Sequence, residues 1–347
     1  MRARFDVDQE EHERIGGTFL DGEKYVGIGE VLQLKVAHIE ATTPRIRRIE
    51  LSSVDGSALP AFTAGAHIDI EMPNEETRSY SLLNDCGEKH RYVLGVLREP
   101  ESLGGSAYLH DKLEVGGVLT ASTPSNDFPH YEAAEANILI AGGIGVTPMM
   151  SMAARLAELG RDYTLHYCAR SADEAAFLDE LRARHGDHLE THFDGGDPTR
   201  GLDVKALLGA RRPGAHVYVC GPIGLIRDTI AAAADWPQGT VHYELFKGNA
   251  ADLAFEKSDQ PFDIVLKKAC KTFTVPADRS ILAVLRAEGF KIKTLCTTGR
   301  CGTCRVTYLS GKVDHRDDVL DDDDERATVL QVCVSRAMPG ETLALDL

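Results

Sequence analysis

The sequence predicts a multidomain chain: an antiparallel β-barrel, then an α/β domain built on a parallel sheet, then a small α+β unit. Three observations carry that prediction. From about Val31 short β-rich runs follow one another with no helical period between them; from Asn137 strands alternate with helices; and from Phe262 a short unit closes on "LCTTGRCGTC", with three cysteines inside nine residues and a fourth, Cys333, downstream. Closely spaced strands favour a barrel. Strand–helix alternation favours a parallel sheet covered on both faces. A unit too short for a large core gains from a metal staple.

Residues 1–26 are polar and aperiodic and read as an N-terminal arm. The barrel is expected over 27–131, where "EVLQLKVAHIEA", "IRRIELSSV", "HIDIEMP", "RSYSLLN" and "RYVLGVLRE" are separated by Pro, Gly and Asn clusters. The α/β domain is expected over 132–247: strand "ILIAGG", helix "PMMSMAARLAELG", strand "YTLHYCA", helix "EAAFLDELRARH", strand "LETHF", a short helix near Val204 to Leu208, strand "HVYVC", helix "IGLIRDTIAAAAD" and strand "TVHYELF". Residues 248–260 have few large apolar side chains and no period, so they read as a linker. The last unit spans 261–347, with strands "FDIVLKK" and "KTFTVP" and the helix "SILAVLRAEG" before the cysteine loop. The run "DDVLDDDDER" reads as a solvated acidic helix start.

Composition narrows the function. The 347 residues are 43% hydrophobic and 27% charged, with a net charge of −16. That balance suits a soluble globular chain and excludes a nucleic-acid partner, which needs a basic surface. No run of about 18 apolar residues is present, so no membrane span is expected. The charged first residues lack the apolar core of a secretory signal, so a cytoplasmic location is expected, and nothing calls for more than a monomer. In a reducing compartment disulfides are disfavoured and clustered thiols point to metal. Cys86, Cys168, Cys220 and Cys270 stand apart from the cluster and read as small buried hydrophobes.

Cys296, Cys301 and Cys304 form C-x4-C-x2-C, and Cys333 follows after twenty-eight residues. This is the plant-type spacing for a 2Fe-2S cluster. A tight loop supplies three thiolates from one side, with Gly299 and Gly302 where the backbone must turn and aim amides at sulfur, and a separate segment supplies the fourth. Structural zinc sites more often pair two short-spaced couples. Residues 262–347 resemble a plant-type ferredoxin domain, which implies a β-grasp fold, and "VCVSRAMPGETLALDL" is similar to the ending of the phthalate dioxygenase reductase family. Many relatives have Glu after the first ligand; here it is Thr297.

"RSYSLLND", Arg78 to Asp85, resembles the R-x-Y-S motif of the ferredoxin–NAD(P)H reductase superfamily. The resemblance implies a flavin: Arg78 forks onto a phosphate, Tyr80 packs along the isoalloxazine or ribityl chain, and Ser81 bonds near N5. "LGGSAYLH" places glycines before a short helix from Ser106, where backbone amides bind phosphate. "YSLLND" together with "NDFP", Asn126 to Pro129, resembles the FMN-using members, so FMN is expected rather than FAD. By the same resemblance Arg78, Ser79, Gly95, Val96, Leu97, Leu103, Gly104, Gly105 and Ser106 line the flavin. Relatives often carry Lys at the position of Leu97.

"AGGIGVTPMM", Ala141 to Met150, is not G-x-G-x-x-G, so the ordinary dinucleotide fingerprint is absent. It remains a loop able to approach a nucleotide closely, with Gly142 and Gly143 on the turn, Thr147 as helix cap and Pro148 at the first helical position. "YVCGPIGLI" completes the resemblance: Cys220, Gly221 and Pro222 then lie beside the nicotinamide, Cys220 as a contact and not a nucleophile. "ELF" resembles the family's E-x-F, which places Phe246 on the isoalloxazine beside Thr147. Arg170 and Ser171 follow the second strand, where adenosine ribose is read. Asp173 and Glu174 would repel a 2′-phosphate, so NADH is expected over NADPH.

The order flavin barrel, nicotinamide domain, ferredoxin resembles the reductase components of Rieske-type oxygenases and O-demethylases, the phthalate dioxygenase reductase and vanillate O-demethylase reductase family. NADH gives two electrons together as hydride, a 2Fe-2S cluster takes one, and a flavin between them can take two and release one at a time. The expected activity is that of an NADH-dependent flavin/iron–sulfur oxidoreductase delivering electrons to a Rieske-type oxygenase component. No general acid or base is expected, because hydride transfer needs none. A stand-alone diaphorase or oxidase, or a zinc-stabilised nucleotide-binding protein, are the competing readings.

Overall fold

A computed structural model describes residues 31–73, 77–99, 104–237, 239–246, 259–290, 292, 299, 302–317, 319–320 and 322–347. The expected N-terminal arm and all of the expected linker except Asp259 and Gln260 lie outside the described residues.

The first unit contains β1 (Val31–Thr43), β2 (Ile46–Ser53), β3 (His67–Glu71), β4 (Thr77–Ser81), β5 (Tyr92–Leu97), α1 (Gly105–Asp111) and β6 (Val118–Ser122). The strands run in the order β4-β3-β6-β1-β2-β5, all pairs antiparallel. Leu82, just past β4, bridges to Leu94 of β5, and Leu83 N donates to Val93 O at 3.0 Å. That contact joins the two outer strands, so the sheet has no open edge there. Period-two alternation sends Leu34, Val36, Ile49, Leu51, Ile68, Ile70, Leu94 and Val96 inward, all of them inaccessible to solvent. Leu109 of α1 joins this core, and His110 Nε2 sits 2.9 Å from Val96 O, so the helix is fastened across the barrel.

The second unit alternates β7 (Ala136–Gly142), α2 (Val146–Glu158), β8 (Tyr163–Ala169), α3 (Leu178–His185), β9 (Leu189–Phe193), α4 (Val204–Gly209), β10 (Ala215–Cys220), α5 (Ile223–Ala232) and β11 (Val241–Glu244). Its five strands are parallel in the order β11-β10-β7-β8-β9. Successive residues feed opposite faces: Leu139 and Leu165 meet α2 and α3, whereas Ile140, Val217 and Val219 meet α4 and α5. Strand order reverses between β7 and β10, a switch point at whose carboxyl ends such sheets form their ligand-binding crevice. The helix expected over "EAAFLDELRARH" is shorter than its sequence period. A 3-10 turn occupies Ala172–Glu174, and Phe177, at φ 62, breaks the run before Leu178.

The two units share a core. Ile46, Ala64, Leu83, Val93 and Phe128 pack with Val146, Met149, Met152 and Phe177, and Arg48 Nη1 pairs with Glu180 Oε2 at 2.7 Å. The "NDFP" stretch lies at this seam. Asn126 Nδ2 donates to Thr63 Oγ1 (2.7 Å) and Ala64 O (3.0 Å), and its Oδ1 accepts from Phe128 N. Phe128 in turn meets Tyr218 edge-on at 6.0 Å.

The third unit holds β12 (Phe262–Leu266), β13 (Lys271–Val275), α6 (Ile281–Ala287), β14 (Arg305–Ser310), β15 (Val313–Asp314), β16 (Val329–Gln331), β17 (Arg336–Ala337) and β18 (Leu343–Leu345). The main sheet runs β13-β12-β18-β14-β16, with β12 and β18 parallel and the other neighbours antiparallel. Ser280 Oγ caps α6 by accepting from Ala283 N at 3.1 Å, and Ile281, Leu282, Val284 and Leu285 pack on the sheet. The acidic run does start a helix, a single turn over Asp323–Arg326 capped by Asp322 Oδ1, which accepts from Asp324 N and Glu325 N; earlier in the run Asp317 and Leu320 are buried rather than solvated. Cys270 corrects an expectation, since it is exposed at a turn with φ 52 and not buried. Among the described residues no helix is long and apolar enough to cross a membrane.

Among the described residues Arg336 is the largest fully buried side chain. It donates to Arg279 O (2.9 Å), Gln260 O (3.1 Å) and Pro276 O (3.1 Å), and lies 4.9 Å over the Phe262 ring. Arg336→Leu removes the donor of three part-buried carbonyls and the cation beside Asp259, and is expected to cost about 3 kcal/mol. Urea titration of the whole protein should show the terminal unit unfolding at a lower midpoint; an unchanged midpoint would deny Arg336 this role.

Candidate functional site

The flavin-type elements converge where β4, β5 and α1 meet. A Cβ added to Gly105 would lie 3.0 Å from Arg78 Cγ and 3.3 Å from Arg78 Nε, so the arginine stem rests on the amino end of α1. Gly104 caps that helix at φ 123, which a side chain would resist. The helix starts at Gly105, one residue before the expected Ser106, whose Oγ accepts from Glu99 N at 3.1 Å. Arg78 and the helix start thus share one place, the arrangement a phosphate needs. Burial pushes the Tyr80 hydroxyl up to about 12, opposed by Arg78, so it stays protonated. Ser81 Oγ is buried and has no hydrogen-bond partner among the described residues. A buried hydroxyl without a partner is costly unless a ligand atom supplies one, and the site therefore fits a polar, ring-bearing group such as flavin. Ser79 faces elsewhere: it is exposed, with Oγ bonded to Asp69 Oδ1 at 2.5 Å. Leu103 lies outside the described residues.

Gly95 marks the seam between barrel and α/β unit. Its added Cβ would meet Thr147 Cγ2 at 2.6 Å and the Phe177 ring at 3.2 Å. Val96 points into the barrel core and Leu97 packs on the shared core. Phe246, two residues past β11, is 39% exposed.

At the crevice the two glycine loops touch backbone to backbone. A Cβ on Gly145 would fall 2.2 Å from Cys220 O; one on Gly142 would fall 2.5 Å from Pro222 Cδ; one on Gly221 would fall 2.8 Å from Gly142 Cα. Only glycine permits this approach, and it brings Gly142, Gly145, Cys220, Gly221 and Pro222 together, while Gly143 turns away from the contact with open space where its Cβ would lie. Thr147 differs from expectation. The 3-10 turn Gly143–Gly145 leads straight into α2, so Thr147 is its second residue, with Oγ1 donating to Ile144 O at 3.1 Å, and Pro148 is its third. Burial, reinforced by the Glu244 carboxylate, holds the Cys220 thiol well above its ordinary pKa, so it stays a neutral thiol, unsuited to act as a nucleophile. Arg170 and Ser171 follow β8, one strand over, and Arg170 O accepts from Gly195 N at 2.9 Å.

Cys296 and Cys301 lie outside the described residues. Cys304 and Cys333 are buried, their Sγ atoms 2.9 Å apart. One precedes β14, the other follows β16, and the register Arg305↔Gln331 brings them together. Gly299 (φ 79) and Gly302 (φ 71) both need the left-handed region, and a Cβ on Gly299 would be 2.9 Å from Val334 Cγ2. Two adjoining thiols beside a glycine turn fit an iron–sulfur ligand set. The Cys304 thiol donates to Gln331 Oε1 at 3.1 Å, while the buried Gln331 Nε2 has no partner among the described residues. A metal-bound thiolate has no proton to give. The amide turned over would then place Nε2–H on sulfur and find its missing partner.

Two of these residues carried no sequence signal as site residues. Gln331 lies inside "VLQVC" but only the β14–β16 pairing places it on sulfur. Phe177 ends "CARSADEAAF", and its positive φ is invisible in the letters.

The 2Fe-2S iron-sulfur cluster binding domain family matches residues 266–338, and the oxidoreductase NAD-binding domain family matches residues 139–230. Phthalate dioxygenase reductase of Burkholderia cepacia is 40% identical over 318 residues, covering 91% of this chain and 97% of that protein. The chain belongs to the phthalate dioxygenase reductase family. Among its members, vanillate O-demethylase oxidoreductase of Pseudomonas sp. (strain HR199 / DSM 7063) is 37% identical over 91% of this chain and 100% of its own. The beta subunit of a heme-dependent oxidative N-demethylase of Ectopseudomonas mendocina (strain ymp) is 39% identical over 91% and 99%. A solved phthalate dioxygenase reductase, described as a modular structure for electron transfer from pyridine nucleotides to [2Fe-2S], matches with a TM-score of 0.67 at 40% identity, over 91% of this chain and 98% of that one. The family chain described here is an oxidoreductase with NAD-binding and 2Fe-2S domains.

Two outcomes are expected at these sites. Gly145→Ala should raise the Kd for NADH, because its Cβ collides with the Cys220 carbonyl; unchanged NADH binding would contradict the loop contact. Gln331→Leu should lower the cluster's midpoint potential by some tens of millivolts, since an N–H donor to sulfur favours the more negative reduced form. Redox titration followed by EPR reads that shift, and a potential equal to wild type would place the amide elsewhere.

Proposed function

We propose that this protein is the reductase component of a Rieske-type oxygenase or O-demethylase system, taking electrons from NADH and passing them by FMN and a 2Fe-2S cluster to the oxygenase. The observation that carries this reading is the buried Cys304–Cys333 pair, on the same chain as a barrel whose Ser81 hydroxyl awaits a ligand and a crevice of touching glycine loops. When bound, the flavin supplies the step from paired to single electrons that the nicotinamide and the cluster require.

The chain's own residues bind and orient. Arg78 and the start of α1, with Gly104, Gly105 and Ser106, would hold the flavin phosphate. Tyr80, Ser81, Gly95, Thr147 and Phe246 would surround the ring, and Phe177 backs Gly95 from the α/β side. Gly142, Gly143, Pro148, Cys220, Gly221 and Pro222 would seat the nicotinamide half, and Arg170 with Ser171 the adenosine half. Asp173 and Glu174, both acidic beside that subsite, favour NADH over its 2′-phosphorylated form. Cys296, Cys301, Cys304 and Cys333 would ligate the cluster. The identity of FMN over FAD rests on the "YSLLND" and "NDFP" resemblance.

The heme-dependent N-demethylase subunit favours a second reading, in which the acceptor is a heme enzyme. Anaerobic mixing of the NADH-reduced protein with a Rieske oxygenase component and, separately, with a heme oxygenase separates the two. The proposal expects rapid reoxidation by the Rieske component alone; preferential transfer to heme would replace it. Cys333→Ser is expected to abolish transfer to the partner while NADH-dependent reduction of ferricyanide persists. Transfer that survives the substitution would place the exit elsewhere.

A further inference from the structure

A second set of metal-ligating side chains lies on the α/β sheet, away from the cysteines. Strand β9 is an edge strand, and Glu190 and His192, two residues apart, project from the same face of it. His166 projects from the neighbouring β8, in register with Glu190. His166 Nδ1 is 3.2 Å from His192 Nε2 and 3.3 Å from Glu190 Oε2, and the three ligand atoms all lie within 4.8 Å of one another. Among the described residues this is the one such group.

These separations have a meaning. Ligands bonded at the usual zinc distances to nitrogen and oxygen stand about 3.3 Å apart along a tetrahedron edge. A proton explains the arrangement less well. His166 Nδ1 faces an imidazole nitrogen and a carboxylate oxygen together, and one shared N–H serves those two contacts only in part. A cation at the centre serves all three. Burial holds His166 down at about 4 and lowers His192 as well, so both rings are neutral near pH 7 with lone pairs available. His166 is buried while the Glu190 side chain is 57% exposed. The site therefore has a buried floor at His166 and is reached from solvent on the Glu190 side.

We propose that His166, Glu190 and His192 bind a divalent zinc-class cation that clamps β9 to β8. The clamp sits below the carboxyl end of β8, from which Arg170 and Ser171 emerge. It depends on neither the flavin nor the cysteine cluster.

Isothermal titration of zinc chloride into the oxidised holoenzyme, with iron content checked before and after, tests the proposal. One zinc per chain is expected without loss of iron. Glu190→Gln and His192→Asn should each weaken that event at least about tenfold, and without added zinc both should keep the wild-type melting temperature and ferricyanide reductase activity. Absence of a binding event, or equal binding by wild type and both variants, would overturn the site. Should either variant fold poorly, zinc-induced shifts of the His166 and His192 ring signals in wild-type NMR spectra decide: shifted rings support the site, unshifted rings refute it.

Discussion

The architecture depends on close approaches made at glycines, where any side chain would collide. Gly145 lies against the Cys220 carbonyl, Gly142 against Gly221, and Gly95 against Thr147 and Phe177. The first two contacts close the nucleotide crevice; the third lets a barrel strand slide under the α/β unit. Together they bring the proposed nicotinamide-binding loops and the proposed flavin-binding strands to one seam. A methyl group at any of the three would force the elements apart, and hydride transfer tolerates little displacement.

Around that seam the rest is support. The shared core of Phe128, Met149, Met152 and Phe177 is apolar and continuous, and close-packed interiors resist sliding. The half-buried Arg48–Glu180 pair adds direction more than energy. The terminal unit solves a different problem, since its core is small. It fastens itself through buried polar groups: Arg336 on three carbonyls, Arg316 on Asp259 at 2.7 and 2.9 Å and on Asp314 at 2.6 Å. The last two residues of the expected linker, Asp259 and Gln260, are thereby tied to Arg316 and Arg336, on either side of Cys333.

Much of this was legible in the letters. Alternation in "HIDIE" and "RYVLGVL" marked the barrel strands, and strand–helix alternation marked the parallel sheet, because burial on one or two faces imposes those periods. Cysteine spacing marked the ligand loop, because thiolates must converge. Features set by register or by tertiary contact were not legible. Phe177 shortens α3 with a backbone angle that a sequence period hides. Gln331 meets sulfur only through the β14–β16 pairing. His166 and His192 stand twenty-six positions apart, and nothing but the β8–β9 register joins them. "NDFP" was legible as a motif but not as the hinge-side hydrogen-bonding corner that Asn126 builds.

The central claim is that the chain ends in a one-electron carrier held by four thiolates. Iron and acid-labile sulfide analysis of anaerobically purified protein tests it most directly. The account predicts iron and sulfide in equal amounts, two of each per chain, together with the EPR signal of a reduced 2Fe-2S centre after NADH is added. Protein that folds fully yet contains no iron and no labile sulfide would contradict it.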